Sequence, residues 1–322
     1  MFPQRFKSCA RRRPLLRAWQ GLGLLVALAG LLLAKPAATA GSNKDMGQDM
    51  GQDMGNNLGN NLGRACPEPA DAVSTRAIFD RFTGRNLDGC DWVIVQKNWG
   101  GHTAAGDYSG GVIKANIGMR DGKLVLTARG NRYDGPIRGY NKDGSMRPDG
   151  RRTGAVIMSR QRYLGGRFEA RVTIPVELGV ASALWTFFYA ERDGTVENHE
   201  IDIEFPGRPS DAAAPSFDYV LLSTWRGLTK GQWTTAFEPL PATVTDGKFH
   251  VLRFDWQPQD AGRKGFVAFY IDGRLLKTIR TTVPSKAGNL WLGLWFPPKW
   301  AGVPDFVEVK MKVDWVRITP LE

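Results

Sequence analysis

Residues 200–205 read Glu-Ile-Asp-Ile-Glu-Phe, and the chemistry of this 322-residue chain concentrates there. In an extended strand successive side chains point to opposite faces, so Glu200, Asp202 and Glu204 share one face while Ile201, Ile203 and Phe205 share the other. Three like charges in line repel, and no Lys or Arg alternates with them to relieve the repulsion. Such a strand is a poor route to stability and a direct route to a site. Three close carboxyls titrate as a coupled set, so at least one keeps its proton near neutral pH. One face then offers a carboxylate and a carboxylic acid side by side.

Glu200 and Glu204 lie about 13 Å apart along an extended strand at ~3.3 Å per residue. Side chains leaning toward each other close most of that gap, to the roughly 5–5.5 Å that separates the carboxyls of a retaining glycosidase. In that chemistry one carboxylate attacks the anomeric carbon to form a glycosyl ester, while the other protonates the departing oxygen and later activates water. Asp202, between the two, is short enough to hydrogen-bond a neighbouring Glu without reaching the sugar. These residues alone do not say which Glu is the nucleophile.

The elements that must hold this strand are also strands. After Phe79 the sequence breaks into short β-type runs separated by Gly, Asn, Asp and Pro: 92–96, 123–129, 154–159, 166–175, 182–189, 200–205, 219–223, 250–256, 266–271, 290–295 and 306–318. Asp121-Gly122 and Asp272-Gly273 fall between such runs, where hairpin turns belong. No long amphipathic helix is evident, which predicts an all-β chain of two packed antiparallel sheets. Eleven Trp, sixteen Phe and seven Tyr suit either packing or the apolar faces of sugars.

The formal charge of +11 invites a nucleic-acid partner, but its distribution does not. Residues 1–40 carry seven of the 43 Lys and Arg and no acid, which leaves 36 basic against 32 acidic residues, a net +4. The remainder has no basic run interleaved with aromatics, no phosphate-cradling Gly loop and no zinc spacing. Residues 1–19 are basic, 21–34 are apolar, and Ala38-Thr39-Ala40 gives a small-x-small cleavage site, so 1–40 reads as a secretory signal peptide. The apolar run falls short of the ~20 residues of a membrane span. Arg12-Arg13-Pro14-Leu15-Leu16 loosely resembles a twin-arginine export signal, with Arg11 where Ser or Thr is usual. These features predict a secreted or periplasmic monomer, free of the membrane after cleavage.

Residues 41–72 form a low-complexity linker before the globular domain at 73–322. From Lys44 to Arg64 a four-residue unit repeats, Asp-Met-Gly-Gln passing into Asn-Leu-Gly-Asn, with one Gly per unit and too little apolar surface to offset chain entropy. Of three cysteines, Cys9 departs with the signal peptide, so Cys66 and Cys90 form an even pair in an exported chain. A disulfide there would tie the end of the linker to the domain and add about 3 kcal/mol.

Glu200-Ile201-Asp202-Ile203-Glu204-Phe205 resembles the active-site strand of glycoside hydrolase family 16. Tyr163-Leu164-Gly165-Gly166-Arg167-Phe168-Glu169-Ala170-Arg171, 249–256 (Phe-His-Val-Leu-Arg-Phe-Asp-Trp), Tyr270-Ile271-Asp272-Gly273 and Val313-Asp314-Trp315-Val316 agree in order, over about residues 75–320. The resemblance implies a curved jelly-roll sandwich of the concanavalin A type, with Glu200 as nucleophile, Asp202 as assisting carboxylate and Glu204 as acid/base. It implies an endo-β-glucanase. No residue is inserted between Asp202 and Glu204, which is similar to the lichenase and xyloglucan-enzyme branch and favours a β-1,3-1,4-glucan or related β-linked polysaccharide. A transglycosylase on β-glucan or xyloglucan, and a non-catalytic carbohydrate-binding sandwich, are the competing readings.

Trp185 and Trp295 match places where the family lines its cleft, with packing in the core as the competing reading. Arg160 is a sugar-binding candidate or a surface arginine, and Trp300 caps the cleft or anchors its own loop. His199 alternates off the carboxylate face, which favours packing, and His102 and His250 have no ligand partners at useful spacing. Lichenases carry Trp where this chain has Asn198. Residues 133–152 and 208–216 are expected to be cleft-edge loops. Catalysis of this kind requires no cofactor, but the resemblance brings in a structural calcium, held by Asp314 and the carbonyl of Gly122, with oxygen ligands that suit this hard ion.

Overall fold

The computed structural model describes residue 66 and residues 72–97, 109–136, 151–175, 177–192, 195–206, 219–240, 242–260, 262–297 and 301–321. The stretch expected to be a signal peptide with its cleavage site, Cys9, the repeat, His102, Trp300, the expected 208–216 loop and residues 137–150 of the expected 133–152 loop lie outside these residues. Among the described residues the regular structure is sixteen strands and two short 3-10 turns. The strands are β1 (Ile78–Asp80), β2 (Trp92–Ile94), β3 (Ser109–Val112), β4 (Ile117–Arg120), β5 (Lys123–Arg129), β6 (Arg151–Tyr163), β7 (Gly166–Thr173) and β8 (Ala181–Arg192). They continue as β9 (Thr195–Phe205), β10 (Tyr219–Trp225), β11 (Trp233–Pro239), β12 (Phe249–Gln257), β13 (Phe266–Ile271), β14 (Arg274–Ile279), β15 (Gly288–Trp295) and β16 (Glu308–Pro320). No helix among them is long and apolar enough to cross a membrane.

Neighbouring strands follow the order β11-β10-β9-β8-β15-β6-β5-β16-β7-β12-β13-β14, so the expected two-layer antiparallel architecture is present. β6 joins the layers: it pairs with β15 and β2 on one side of the molecule and meets β5 at Arg129↔Thr153 on the other. Its contact with β3 is parallel. Where the first and last strands of the path approach, threonine hydroxyls bridge the seam, Thr224 to Thr282 at 2.7 Å and Thr234 to Thr281 at 3.0 Å.

The core lies between the layers. Ile201, Ile203, Leu184, Val220, Leu222 and Leu292 meet Phe168, Leu252, Phe254, Phe269 and Val316, with Phe168 stacked on Phe254 at 4.8 Å between centroids. Ile201 and Ile203 are completely buried. Full burial of such a side chain is worth roughly 1.5–3 kcal/mol, so the apolar face of β9 fixes the register that its acidic face would not choose.

Asp121-Gly122 and Asp272-Gly273 make the β4–β5 and β13–β14 turns, with φ of 52° and 66° in the first and 50° and 79° in the second. Both residues left-handed is the two-residue hairpin turn whose twist matches antiparallel strands. The expected 133–152 loop is shorter at its end, because Arg151 and Arg152 already belong to β6. Arg152 donates from Nε to Asn131 Oδ1 at 2.7 Å, which draws it into the sheet. Sequence periodicity passes over β1, β3, β4, β11 and β14, which are short or carry polar residues on an open face. Cys66 and Cys90 are joined by a disulfide with 4.9 Å between their Cα atoms.

Candidate active site

β9 runs between β8 and β10, and its pairing with each is continuous, without a register shift. Glu200 stands between Phe187 and Trp225, Asp202 between Trp185 and Ser223, and Glu204 between Ala183 and Leu221. Unbroken register keeps all three carboxyls on one face, as alternation requires. Asp202 is buried, and the two Glu are half-buried.

Each carboxyl has its own donor. Asn198 Nδ2 donates to Glu200 Oε2 at 3.2 Å, Trp225 Nε1 to Asp202 Oδ2 at 2.9 Å, and Trp295 Nε1 to Glu204 Oε1 at 3.3 Å. Ion pairs among the described residues include none of the three. Burial therefore dominates, since taking a carboxyl out of water penalises its charged form.

Burial pushes Glu200 up to about 7, while hydrogen bonds from Asn198 and Asp202 pull the other way. Burial and then the charge of Glu200 push Glu204 up to about 8, against the indole of Trp295. Asp202 rises well above the ordinary range, from burial, the charges of both Glu, and a hydrogen bond to Glu200 that holds the proton on Asp202. With no cation to offset burial, all three carboxyls rise, so the face retains protons near neutral pH that an exposed trio would lose.

The other candidates divide. Trp295 reaches the site through its bond to Glu204. Trp185 lies on the carboxylate face, but it is 4% exposed and stacks on Trp291 at 5.6 Å, so the expected open ring is instead packed beside the acids. Val95, Val112, Val156 and Ala183 complete that second apolar cluster. Arg160 sits in the irregular stretch of β6 and donates from Nε to the carbonyl of Gly89 at 2.8 Å, next to the disulfide. His199 is buried against Phe188, and its Nδ1 accepts the Ser285 amide at 3.2 Å. Burial and Arg226 lower it to about 4, which leaves it neutral. His250 has partners that spacing did not reveal, Asp272 at 2.7 Å and Asp246 at 3.1 Å.

Asp314 does not fit a calcium site. Its Oδ1 pairs with Lys123 Nζ at 2.8 Å and its Oδ2 pairs with Arg171, so two cations already occupy the carboxylate beside the Gly122 turn. Among the described residues no three or more His, Cys, Asp or Glu side chains are placed to hold a metal ion together.

Sequence reasoning gave Asn198 no role beyond marking where lichenases carry Trp, and it passed over Trp225. Asn198 was visible in principle, because a residue two before Glu200 shares its face. Trp225 was not, because its place beside Glu200 follows from cross-strand register.

Comparison with known proteins accounts for this arrangement. The model of the glycosyl hydrolases family 16 matches residues 111–317, the stretch from β3 into β16, and the chain belongs to that family. A beta-glucanase of Bacillus subtilis (strain 168) is 29% identical over 165 residues, covering 50% of this chain and 61% of the relative. The beta-glucanase of Bacillus licheniformis is 27% identical over 168 residues, covering 50% and 60%. The chain thus spans about three fifths of the length of these relatives. Among solved structures, a prokaryotic beta-1,3-1,4-glucanase (lichenase) from a mouse hindgut metagenome aligns with TM-score 0.56 and 20% identity, over 76% of this chain and 99% of that one. The laminarinase catalytic domain of Thermotoga maritima MSB8 aligns with TM-score 0.57 and 19% identity, over 76% and 97%. Both share the curved jelly-roll fold.

Proposed function

We propose that the protein is an exported, monomeric, retaining endo-β-glucanase that hydrolyses β-1,3-1,4-glucan or a related β-linked polysaccharide by double displacement. The observation that carries this reading is the single face of β9, where unbroken register sets Glu200, Asp202 and Glu204 side by side, each with a neutral donor and none with a cation. Glu200 attacks the anomeric carbon as Glu204 gives its proton to the departing glycosidic oxygen. Asp202 donates a hydrogen bond to Glu200 throughout. Glu204, now a carboxylate, takes a proton from water; the water oxygen bonds to the anomeric carbon, the ester breaks, and Glu200 leaves as a carboxylate with configuration retained.

Family membership and the similarity to curated beta-glucanases support a β-glucan substrate. The unshifted register of β9 agrees with the unbulged motif and favours mixed-linkage glucan over pure β-1,3-glucan. Export is supported by the N-terminal sequence pattern and by the Cys66–Cys90 disulfide, a bond that persists in oxidising compartments.

A panel of barley β-glucan, lichenan, xyloglucan, laminarin and a bacterial exopolysaccharide, read by new reducing ends and product linkage, tests the reading. Mixed-linkage glucan is expected to be cleaved fastest, and no cleavage of any would overturn the hydrolase. Products longer than the substrate would assign glycosyl transfer instead. In Glu200→Ala, azide is expected to restore partial turnover and give a glycosyl azide of inverted configuration.

A further inference from the structure

Asn198 lies two residues before Glu200 on the carboxylate face and is 3% exposed. Leaving a buried primary amide unsatisfied costs about 1–3 kcal/mol, so its side chain is held where a partner exists. That partner is Glu200 Oε2, at 3.2 Å. Cross-strand from Asn198 stands Tyr189, whose hydroxyl lies 3.3 Å from Glu191 Oε2 and serves a different carboxylate.

We propose that Asn198 is a positioning residue for the nucleophile, gripping Glu200 by Oε2 so that Oε1 is the oxygen presented to the anomeric carbon. This rests on reading Glu200 as the nucleophile. An N–H donated to a carboxylate favours the ionised form, so the same bond keeps Glu200 ready to attack despite its burial. After attack, Oε1 is the ester oxygen and Oε2 the carbonyl oxygen. The amide continues to donate to Oε2, and it stabilises the carboxylate that re-forms when water adds to the anomeric carbon, the C–Oε1 bond breaks and the water proton passes to Glu204.

Other groups on this face bound the effect. On β9 the titratable neighbours are Asp202 and Glu204, and β8 contributes Tyr189 beside Asn198. β10 places Trp225 next to Glu200 and β11 places Trp233 beyond it, neither of which titrates. With no cation paired to Glu200 among the described residues, the Asn198 amide and the Asp202 hydrogen bond are what favour its ionised form against burial.

The test uses the full chain with Asn198→Ala, Asn198→Ser and Asn198→Asp. Two readouts are taken: the pH profile of kcat/KM on an activated aryl β-glycoside, and a carboxyl-carbon NMR titration without substrate, with the Glu200 signal assigned by Glu200→Gln. Asn198→Ala is expected to move the acid limb and the Glu200 midpoint upward by about one pH unit, the scale of a lost hydrogen bond to a charged group. kcat falls and KM holds. Asn198→Ser falls between alanine and the parent, and Asn198→Asp, which adds a fourth acid, moves the midpoint further. A Glu200 midpoint unchanged in alanine and aspartate variants would overturn the proposal, and if alanine does not fold, an unchanged midpoint in the serine variant does the same. A shifted midpoint with no glucan cleaved would leave the positioning role standing and sink the glucanase reading. Cleavage with an unmoved midpoint does the reverse.

Discussion

The two layers treat part-buried acids in opposite ways. On the outer face of the second layer, Asp255 is raised by burial but brought below its ordinary range by Arg253, whose Nε donates at 2.8 Å, and Arg167 at 3.0 Å. Burial likewise raises Asp314, and Lys123 and Arg171 more than reverse it. On β9 the acids have neutral donors only, an amide and two indoles, and all three rise. The same residue types are held ionised where arginine reaches them and are pushed toward their protonated forms where it does not, and the second condition is the one the proposed chemistry needs.

The sharpest way to break this comparison is to delete a β9 carboxyl. Glu200→Gln is expected to lower kcat by more than about 10⁴-fold, since loss of a nucleophile approaches 10⁶ in other hydrolases. Glu204→Gln should lose about 10²–10⁴-fold, the usual share of a general acid, with much of the loss recovered on an aryl substrate whose leaving group needs no proton. Steady-state kinetics on both substrate types check this.

A second effect is on stability. Glu200 and Glu204 titrate near 7 and 8 in the folded chain against 4.5 ordinarily, so the folded state binds more protons than the unfolded state between those values. Stability therefore falls as pH rises through that window. His250, raised by its two aspartates against the lowering effect of burial, acts in the same direction. Replacing Glu204 by Gln isolates the site: the melting midpoint should rise by a few degrees near pH 8, at about 2–4 °C per kcal/mol, and change little near pH 5.

On the outer face the expected changes are smaller. Asp255→Asn should cost no more than about 1 kcal/mol, as partly solvated pairs do, and leave the pH profile of kcat/KM in place. Denaturant unfolding and the same kinetic assay measure both. Smallest of all is the response to calcium. Because Lys123 and Arg171 already neutralise Asp314, neither calcium nor a chelator should move the melting midpoint.

Much of this was legible in the sequence, for identifiable reasons. Alternation in Glu200 to Glu204 gave the shared face, and Asp-Gly pairs gave two turns, because both are local rules. β11 and β14 escaped because one side of each is open to water, and Thr234, Thr235, Arg274 and Lys277 blur the apolar period. Trp185 was placed on the right face but not at its right depth, which depends on Trp291 from a strand some hundred residues later. Trp225 and Asp314 acquire their partners through register and packing, which a single sequence does not display.

The strand order also governs when the site can exist. β15 lies between β8 and β6, and β16 lies between β5 and β7. Neither layer can close until strands late in the chain insert between strands made long before, so native contacts span long loops and folding is slow. β8, β9 and β10 are able to pair as they are synthesised, but the Trp295 bond to Glu204 waits for β15. Glu200 and Asp202 find their donors, Asn198 and Trp225, within β9 and β10, whereas the environment of Glu204 is complete only once the late strand β15 is in place.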